Sequence, residues 1–266
     1  MASNTRVLII TGYGLNCEAE SRHAWELAGA KPSLVHLSDL LERPAQLADY
    51  GALMFIGGFS FGDHMGSGLV FANRLRHGLQ EELQRFIDAQ KLILGVCNGF
   101  QIITKLGLLP GLDNTHFTPR VALMQNDCGA FQNRWVQLAF DPKSPCVFTK
   151  GLRSMPMPVR HGEGKLVTAD PDLTHRLEAE HCVACKYADP ATGEPTMEFP
   201  LNPNGSLHAA AGLCDPTGRI FGLMPHPEAY LYPENHPTWE LQRLRAELPA
   251  KGLGLRLFEN AVKFLQ

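Results

Sequence analysis

The chain has 266 residues, 44% of them hydrophobic and 19% charged, and a formal net charge of −3. That is the composition of a globular protein able to bury a sizeable core, and it gives no reason to expect nucleic acid or an anionic membrane surface as a partner. No apolar run is long enough to span a bilayer. The stretch Met1-Ala2-Ser3-Asn4-Thr5-Arg6 lacks a signal-peptide pattern, so the seven cysteines, an odd number without framework spacing, are expected as reduced thiols in a cytoplasm.

Val7-Leu8-Ile9-Ile10 reads as a buried strand, followed by a loop over residues 11–16 and a helix over 18–28 that Gly29 ends. Residues 34–37 and 53–56 are the next strand candidates. Strands alternating with helical stretches imply crossover connections and a parallel sheet. Cys17, near the first loop, reads as a packed or incidental thiol, or as a second thiol at a site. Gly57-Gly58-Phe59-Ser60-Phe61-Gly62-Asp63 follows the third strand, where open parallel sheets bind ligands. Such glycines can aim backbone N–H groups at an anion, or serve only as a flexible connection. The Gly-Lys-Ser/Thr ending of a nucleotide phosphate loop is missing. Gly66, Gly68 and Asn73 extend the loop before a helix expected from about 79 to 89, and His64 and His77 read as solvated or structural.

Leu92-Ile93-Leu94-Gly95-Val96 is an apolar run of the kind buried on both faces of a sheet. Phe100, Ile102, Ile103 and Leu106 then suit the buried side of a helix, which Gly107 is placed to stop. Between the two sits Gly95-x-Cys97-x-Gly99, the cysteine version of a nucleophile elbow. A strand turning sharply into a helix lifts one side chain off the sheet edge, and the crowded turn requires small neighbours. The helix N-terminus favours the thiolate, the reactive form. A lone cysteine is more often simply buried. Here both glycines, the strand and the helix agree on a nucleophile, provided a base exists elsewhere.

Over residues 131–207 the pattern changes to short extended runs, 135–140 and 183–187 among them, between turns such as Asn202-Pro203-Asn204-Gly205. This fits an antiparallel extension of one domain. Cys182-x-x-Cys185, with His181, resembles half of a zinc site, but the second pair is absent and alternation along a strand explains the three positions, so no metal is expected. Arg160-His161-Gly162-Glu163-Gly164-Lys165 could serve a substrate or a partner, or be a plain hairpin turn. Ile220-Phe221-Gly222-Leu223-Met224 reads as one more buried strand leading into Pro225-His226-Pro227-Glu228. Each proline pushes the preceding residue toward extended geometry. Positions two apart then share a side, so Glu228 can fix the tautomer of His226 while the other ring nitrogen meets a thiol.

These motifs, in order and over nearly the whole chain, resemble the class I, triad-type glutamine amidotransferases. The matching pieces include Leu15-Asn16-Cys17-Glu18, the glycine-rich loop from Gly57, Gly95-Val96-Cys97-Asn98-Gly99-Phe100-Gln101, Leu108-Leu109-Pro110-Gly111, His161-Gly162-Glu163-Gly164, Asn202-Pro203-Asn204-Gly205-Ser206 and Met224-Pro225-His226-Pro227-Glu228. The Gly-Gly-Phe-Ser-Phe-Gly-Asp loop and the Cys-Asn-Gly-Phe-Gln run are similar to the purine-biosynthetic group. The resemblance implies a single flavodoxin-like α/β domain over residues 1–266, with a mostly parallel central sheet flanked by helices. It implies Cys97 as nucleophile, His226 as general base and acid, Glu228 as orienter, the N–H groups of Gly58 and Asn98 as oxyanion hole, and Gln101, Gly57 and Phe59 as glutamine contacts. It further implies a glutaminase that passes ammonia within a complex to a large ATP-using synthase, with room for a small bridging subunit. That synthase would amidate formylglycinamide ribonucleotide, and ATP and magnesium would sit on it, this chain holding no cofactor. A different acceptor synthase, or a non-catalytic module on the same fold, are the alternatives. Three features depart from the family pattern: Ala229 in place of arginine, Tyr13-Gly14-Leu15-Asn16 in the first loop, and a longer segment 230–248, with Tyr232, Pro233, His236 and Trp239. Residues 239–245 and 253–265 have helical spacing, expected to pack on their own domain or to offer a docking surface.

Overall fold

The five apolar runs become strands of one sheet in the computed structural model, which describes residues 5–266. Residues 1–4 of the stretch read for a signal peptide lie outside the described residues. The first half alternates strand and helix: β1 (Arg6–Thr11), α1 (Glu18–Leu27), β2 (Lys31–His36), α2 (Leu37–Glu42), β3 (Ala52–Phe55), α3 (Leu69–Asp88), β4 (Leu92–Val96) and α4 (Asn98–Leu106). The second half contributes β5 (Ala122–Gln125), β6 (Gln132–Phe140), β7 (Ser154–His161), β8 (Glu163–Val167), α5 (Pro171–Ala179), β9 (Cys185–Ala188), β10 (Ala210–Cys214), β11 (Ile220–Leu223), α6 (Trp239–Leu244) and α7 (Leu255–Phe264).

The main sheet runs β2-β1-β3-β4-β11-β10-β9-β6-β7. Its first five strands are mutually parallel, and the pairs from β11 to β7 are antiparallel. The parallel part has the doubly wound 2-1-3-4-5 order, with β11 in fifth place, and its strand order reverses between β1 and β3. β5 and β8 form a separate antiparallel pair. The parallel strands carry continuous apolar runs because helices cover both faces; residues 7–10 of β1 and 53–55 of β3 are fully buried. α1 and α7 close one side, where the Trp25 and Phe258 rings meet edge to face at 5.2 Å.

Several boundaries differ from expectation. Leu37 opens α2 instead of ending β2, because the His36 side chain caps the helix by accepting the Ser38 N–H at 3.2 Å. α3 begins ten residues before the expected start and includes Asn73: its buried stripe Phe71, Leu75, Leu79 and Leu83 repeats every fourth residue, while polar residues between these masked it. Gly107 does stop α4, at a φ of +81° that suits glycine, with its N–H bonded to the last turn. Strand alternation does not explain His181 and Cys182: β9 starts at Cys185, His181 is paired with Asp141 at 2.7 Å, and Cys182 follows the end of α5. Of the two C-terminal segments, α7 buries five side chains on the domain; α6 buries none, leaving Leu241 and Leu244 exposed.

Candidate active site

Cys97 sits where β4 turns into α4, with φ +51° and ψ −108°, a strained conformation for a non-glycine residue. Its neighbours explain the two glycines. A Cβ on Gly95 would lie 2.7 Å from Ile103 Cδ1 and 2.8 Å from the Gly99 carbonyl oxygen, and one on Gly99 would collide with the Phe55 carbonyl of β3. The elbow therefore packs against the adjacent strand as well as its own helix. The Cys97 N–H donates to the Leu223 carbonyl of β11 at 2.9 Å, and its thiol donates to the Arg160 carbonyl at 3.5 Å.

β11 is the hydrogen-bonded parallel neighbour of β4, with Leu223 opposite Val96. The residues leaving these two strands emerge at the same sheet edge, and His226 is one of them. Its N–H is pinned to the Pro158 carbonyl at 2.8 Å, and its Nδ1 meets Glu228 Oε1 at 2.6 Å with both residues 3% exposed. The expected reason for this contact is corrected by the structure. His226 is extended, but Pro227 opens a short 3₁₀ turn that carries Glu228, so the carboxylate returns to the ring across a turn. Burial alone would lower the imidazole pKa; the Glu228 charge, helped by Cys97 and Cys17, outweighs it and holds His226 protonated well above the ordinary range. His226 Nε2 and Glu228 Oε2 are buried without partners.

The loop after β3 reaches the same place. A Cβ on Gly57 would stand 2.8 Å from His226 Cε1, so the imidazole packs on the bare backbone there. Gly58 has φ +140° and is bridged to Leu15, with Asn16 N–H donating to the Gly57 carbonyl and Phe59 N–H to the Gly14 carbonyl. Among the described residues these bonds do not use the Gly58 N–H. The Asn98 N–H belongs to the first turn of α4 and has no acceptor within the helix. The Asn98 side chain ties the parts together: its Oδ1 accepts the Ser60 N–H at 3.3 Å, and its Nδ2 donates to Asp63 at 3.2 Å and to Gln101 Oε1 at 2.9 Å. Gln101 in turn donates to the Glu163 carbonyl at 2.6 Å and is buried, so both ends of its amide are engaged by the protein. Phe59 is 48% exposed, its ring 6.3 Å from that of Phe131.

The Arg160–Lys165 stretch is not a hairpin. β7 pairs with β6 and β8 with β5, so Gly162 carries the chain from one sheet to the other while the Arg160 and Glu163 carbonyls face Cys97 and Gln101. His161 is buried between them. Asn126 donates its Nδ2 to the His161 and Ala130 carbonyls, which leaves Asn126 Oδ1 to accept from His161 Nδ1–H at 3.1 Å. Burial, then the nearby His226 charge, lower the His161 pKa to about 4, so this imidazole is neutral. Cys17, at the start of α1, was read as incidental or as a second thiol; it lies against His226, and among the described residues Cys17, His226 and Glu228 are the one trio of metal-type ligands at close spacing. The sequence signal was its place just after the β1 loop, at the same sheet edge.

The fold, the glycine-flanked cysteine and the buried histidine–carboxylate pair that follows the neighbouring strand define a glutamine amidotransferase. The family model of the CobB/CobQ-like glutamine amidotransferase domain matches residues 4–265, and the chain belongs to that family. It is 42% identical over 266 residues to the phosphoribosylformylglycinamidine synthase subunit PurQ of Methanococcus maripaludis, covering 97% of each chain. It is 41% identical over 262 residues to the protein of that name from Dehalococcoides mccartyi, covering 98% of each. Among solved structures it is similar to a chain in the structure of PurLQS from Thermotoga maritima, with TM-score 0.71, 28% identity, and coverage of 99% of this chain and 100% of that one. Among the described residues no helix is long and apolar enough to cross a membrane.

Proposed function

We propose that this chain is the glutamine-hydrolysing subunit of a phosphoribosylformylglycinamidine synthase, working as one domain over its whole length. The observation that carries the reading is the meeting of the Cys97 elbow and the His226–Glu228 pair just beyond the ends of adjacent strands, in a chain that matches relatives of that name end to end. Cys97 reacts as the thiolate, its proton carried by the His226 ring; the sulfur attacks the side-chain amide carbon of glutamine, and the carbonyl oxygen becomes an oxyanion. The Gly58 and Asn98 N–H groups receive that charge; one such donor is worth roughly 3 kcal/mol of barrier. Glu228 keeps the His226 proton-rich, so the ring has a proton to give to the departing nitrogen as the C–N bond breaks. The ring, now neutral, takes a proton from water, which attacks the thioester, and glutamate leaves as sulfur is expelled.

Ammonia that escapes into water is protonated and lost as a nucleophile, so it travels within a complex to a large ATP-using synthase that amidates formylglycinamide ribonucleotide. A small bridging subunit completes the assembly, ATP and magnesium belong to the synthase, and this chain needs no cofactor for its own step. The same reading puts the complex in the cytoplasm. Gln101 acts on the substrate pocket through Asn98 and the Glu163 backbone, with Gly57 and Phe59 as walls. The test is Cys97→Ser assayed with the cognate synthase, using either glutamine or ammonium as nitrogen source. Loss of the glutamine-dependent reaction with the ammonium-dependent one retained is the expected outcome. Normal glutamine turnover by the variant refutes the assignment.

A further inference from the structure

The proposed chemistry uses Cys97, His226 and Glu228 and leaves Cys17 without a task. Yet Cys17 is buried at the start of α1, and its thiol, the His226 imidazole and a Glu228 carboxylate oxygen bring ligand atoms within 4.8 Å of one another. Its thiol has a weak contact with Asn16 Oδ1 at 3.6 Å. The space between Cys17 and His226 is set by Gly57, whose missing Cβ would be 3.0 Å from Cys17 Sγ and 2.8 Å from His226 Cε1. Two further atoms of the cluster, His226 Nε2 and Glu228 Oε2, are buried and unpartnered. The Cys97 thiol interacts with the same imidazole. Thiolate, imidazole and carboxylate are the donor types of zinc sites, with bonds of about 2.0–2.3 Å. A tetrahedron of such bonds has edges of about 3.3–3.8 Å, so an ion draws the Cys17 thiol in and opens the 2.6 Å His226–Glu228 contact.

We propose that Cys17, His226 and Glu228 form an inhibitory site for a soft divalent cation of the zinc type, its fourth position left to water, which switches the active site off. The ion displaces the proton of the Cys17 thiol and the one shared between His226 Nδ1 and Glu228, and so breaks the pair that the proposed base depends on. It forms no covalent product and leaves when chelated, so the inhibition is reversible. Magnesium, which prefers six oxygens, does not fit this donor set. Because the ion and the reaction of glutamine draw on the same imidazole, glutamine opposes its binding.

Binding is tested on the full chain without reference to catalysis, by titrating with cobalt(II) and following the thiolate-to-cobalt charge-transfer absorption, then competing with zinc(II). Wild type is expected to bind one cobalt(II) with thiolate absorption. Cys17→Ser, which keeps the side-chain size, is expected to bind at least tenfold more weakly, and Cys17→Ala likewise, each with a thermal melt to show that it is folded. Folded Cys17 variants that bind cobalt(II) and zinc(II) as tightly as wild type overturn the proposal. A second arm rests on the proposed glutaminase. In the complex with its synthase, zinc(II) is expected to inhibit glutamine hydrolysis, with relief by glutamine or a chelator and a tenfold rise in the half-inhibitory concentration for Cys17→Ser relative to its own uninhibited rate. An unchanged half-inhibitory concentration also overturns it. A chain that binds cobalt(II) through Cys17 but hydrolyses no glutamine with any synthase defeats the proposed function and leaves the site standing.

Discussion

Lowering the pH from 7 to 5 should weaken the fold through His161. Burial, then the nearby His226 charge, hold this imidazole neutral, with the pKa at about 4 against 6.5 for the free side chain. The unfolded chain therefore binds a proton here more readily than the folded one. The stability that depends on a neutral His161 is complete above pH 6.5 and is lost as the pH falls toward 4. At pH 5 the unfolded imidazole is almost wholly protonated and the folded one barely so. The linkage integral between these pH values comes to about 2 kcal/mol. Urea unfolding at both pH values, on wild type and on His161→Gln, isolates this site, since glutamine keeps a donor for Asn126 and has nothing to titrate. Wild type should lose about 2 kcal/mol more than the variant between pH 7 and pH 5. Equal losses in the two proteins would show that His161 takes up a proton in the fold as readily as in the unfolded chain, and the reasoning would fail.

Gly57→Ala places a methyl group 2.8 Å from His226 Cε1 and 3.0 Å from Cys17 Sγ, so glutamine turnover should fall at least ~10-fold in steady-state assays, with the melting temperature little changed. Glu228→Gln removes the charge that keeps His226 protonated; kcat should drop by roughly 10²–10⁴ with KM near its original value. Gly222→Ala drives a Cβ into the Phe100 ring under α4, and should cost about 1–3 kcal/mol in urea unfolding. Gly129→Ala, by contrast, meets no atom within 4 Å but sits at φ +65°, so it should lose only about 1 kcal/mol, from backbone strain.

The chemistry was legible where it is local. Gly95, Cys97 and Gly99 declare a turn whose crowding is decided within a few residues, although the atom that Gly99 avoids belongs to β3. His226 and Glu228 were readable as a pair for a partly mistaken reason: the prolines restrict the backbone, but the second opens a 3₁₀ turn. What sequence could not supply was pairing over distance. Arg160 to Lys165 looked like a hairpin because glycines and polar residues mark a reversal equally well, whereas strand partners from elsewhere in the chain send β7 and β8 into different sheets. For Cys17 only its place after the β1 loop was visible; its neighbour His226 lies at the other end of the chain. The first half of α3 was hidden by polar residues that face outward between its buried fourth-position repeats.

The side-by-side lie of β4 and β11 has a consequence for how this enzyme can change. Sulfur and imidazole are carried on two rails bolted together by main-chain bonds, with Val96 level with Leu223. The chain between them leaves at the reactive end of β4, where Asn98 and Gln101 stand, and returns at the opposite end of the sheet to enter β11. The β6–β7 arm can be lengthened, shortened or resurfaced at its outer end to suit a different docking partner, provided the Pro158 and Arg160 carbonyls that hold His226 and Cys97 stay in place. The alignment is vulnerable instead at small residues such as Gly222, where one added carbon pries the rails from the helix that crosses them.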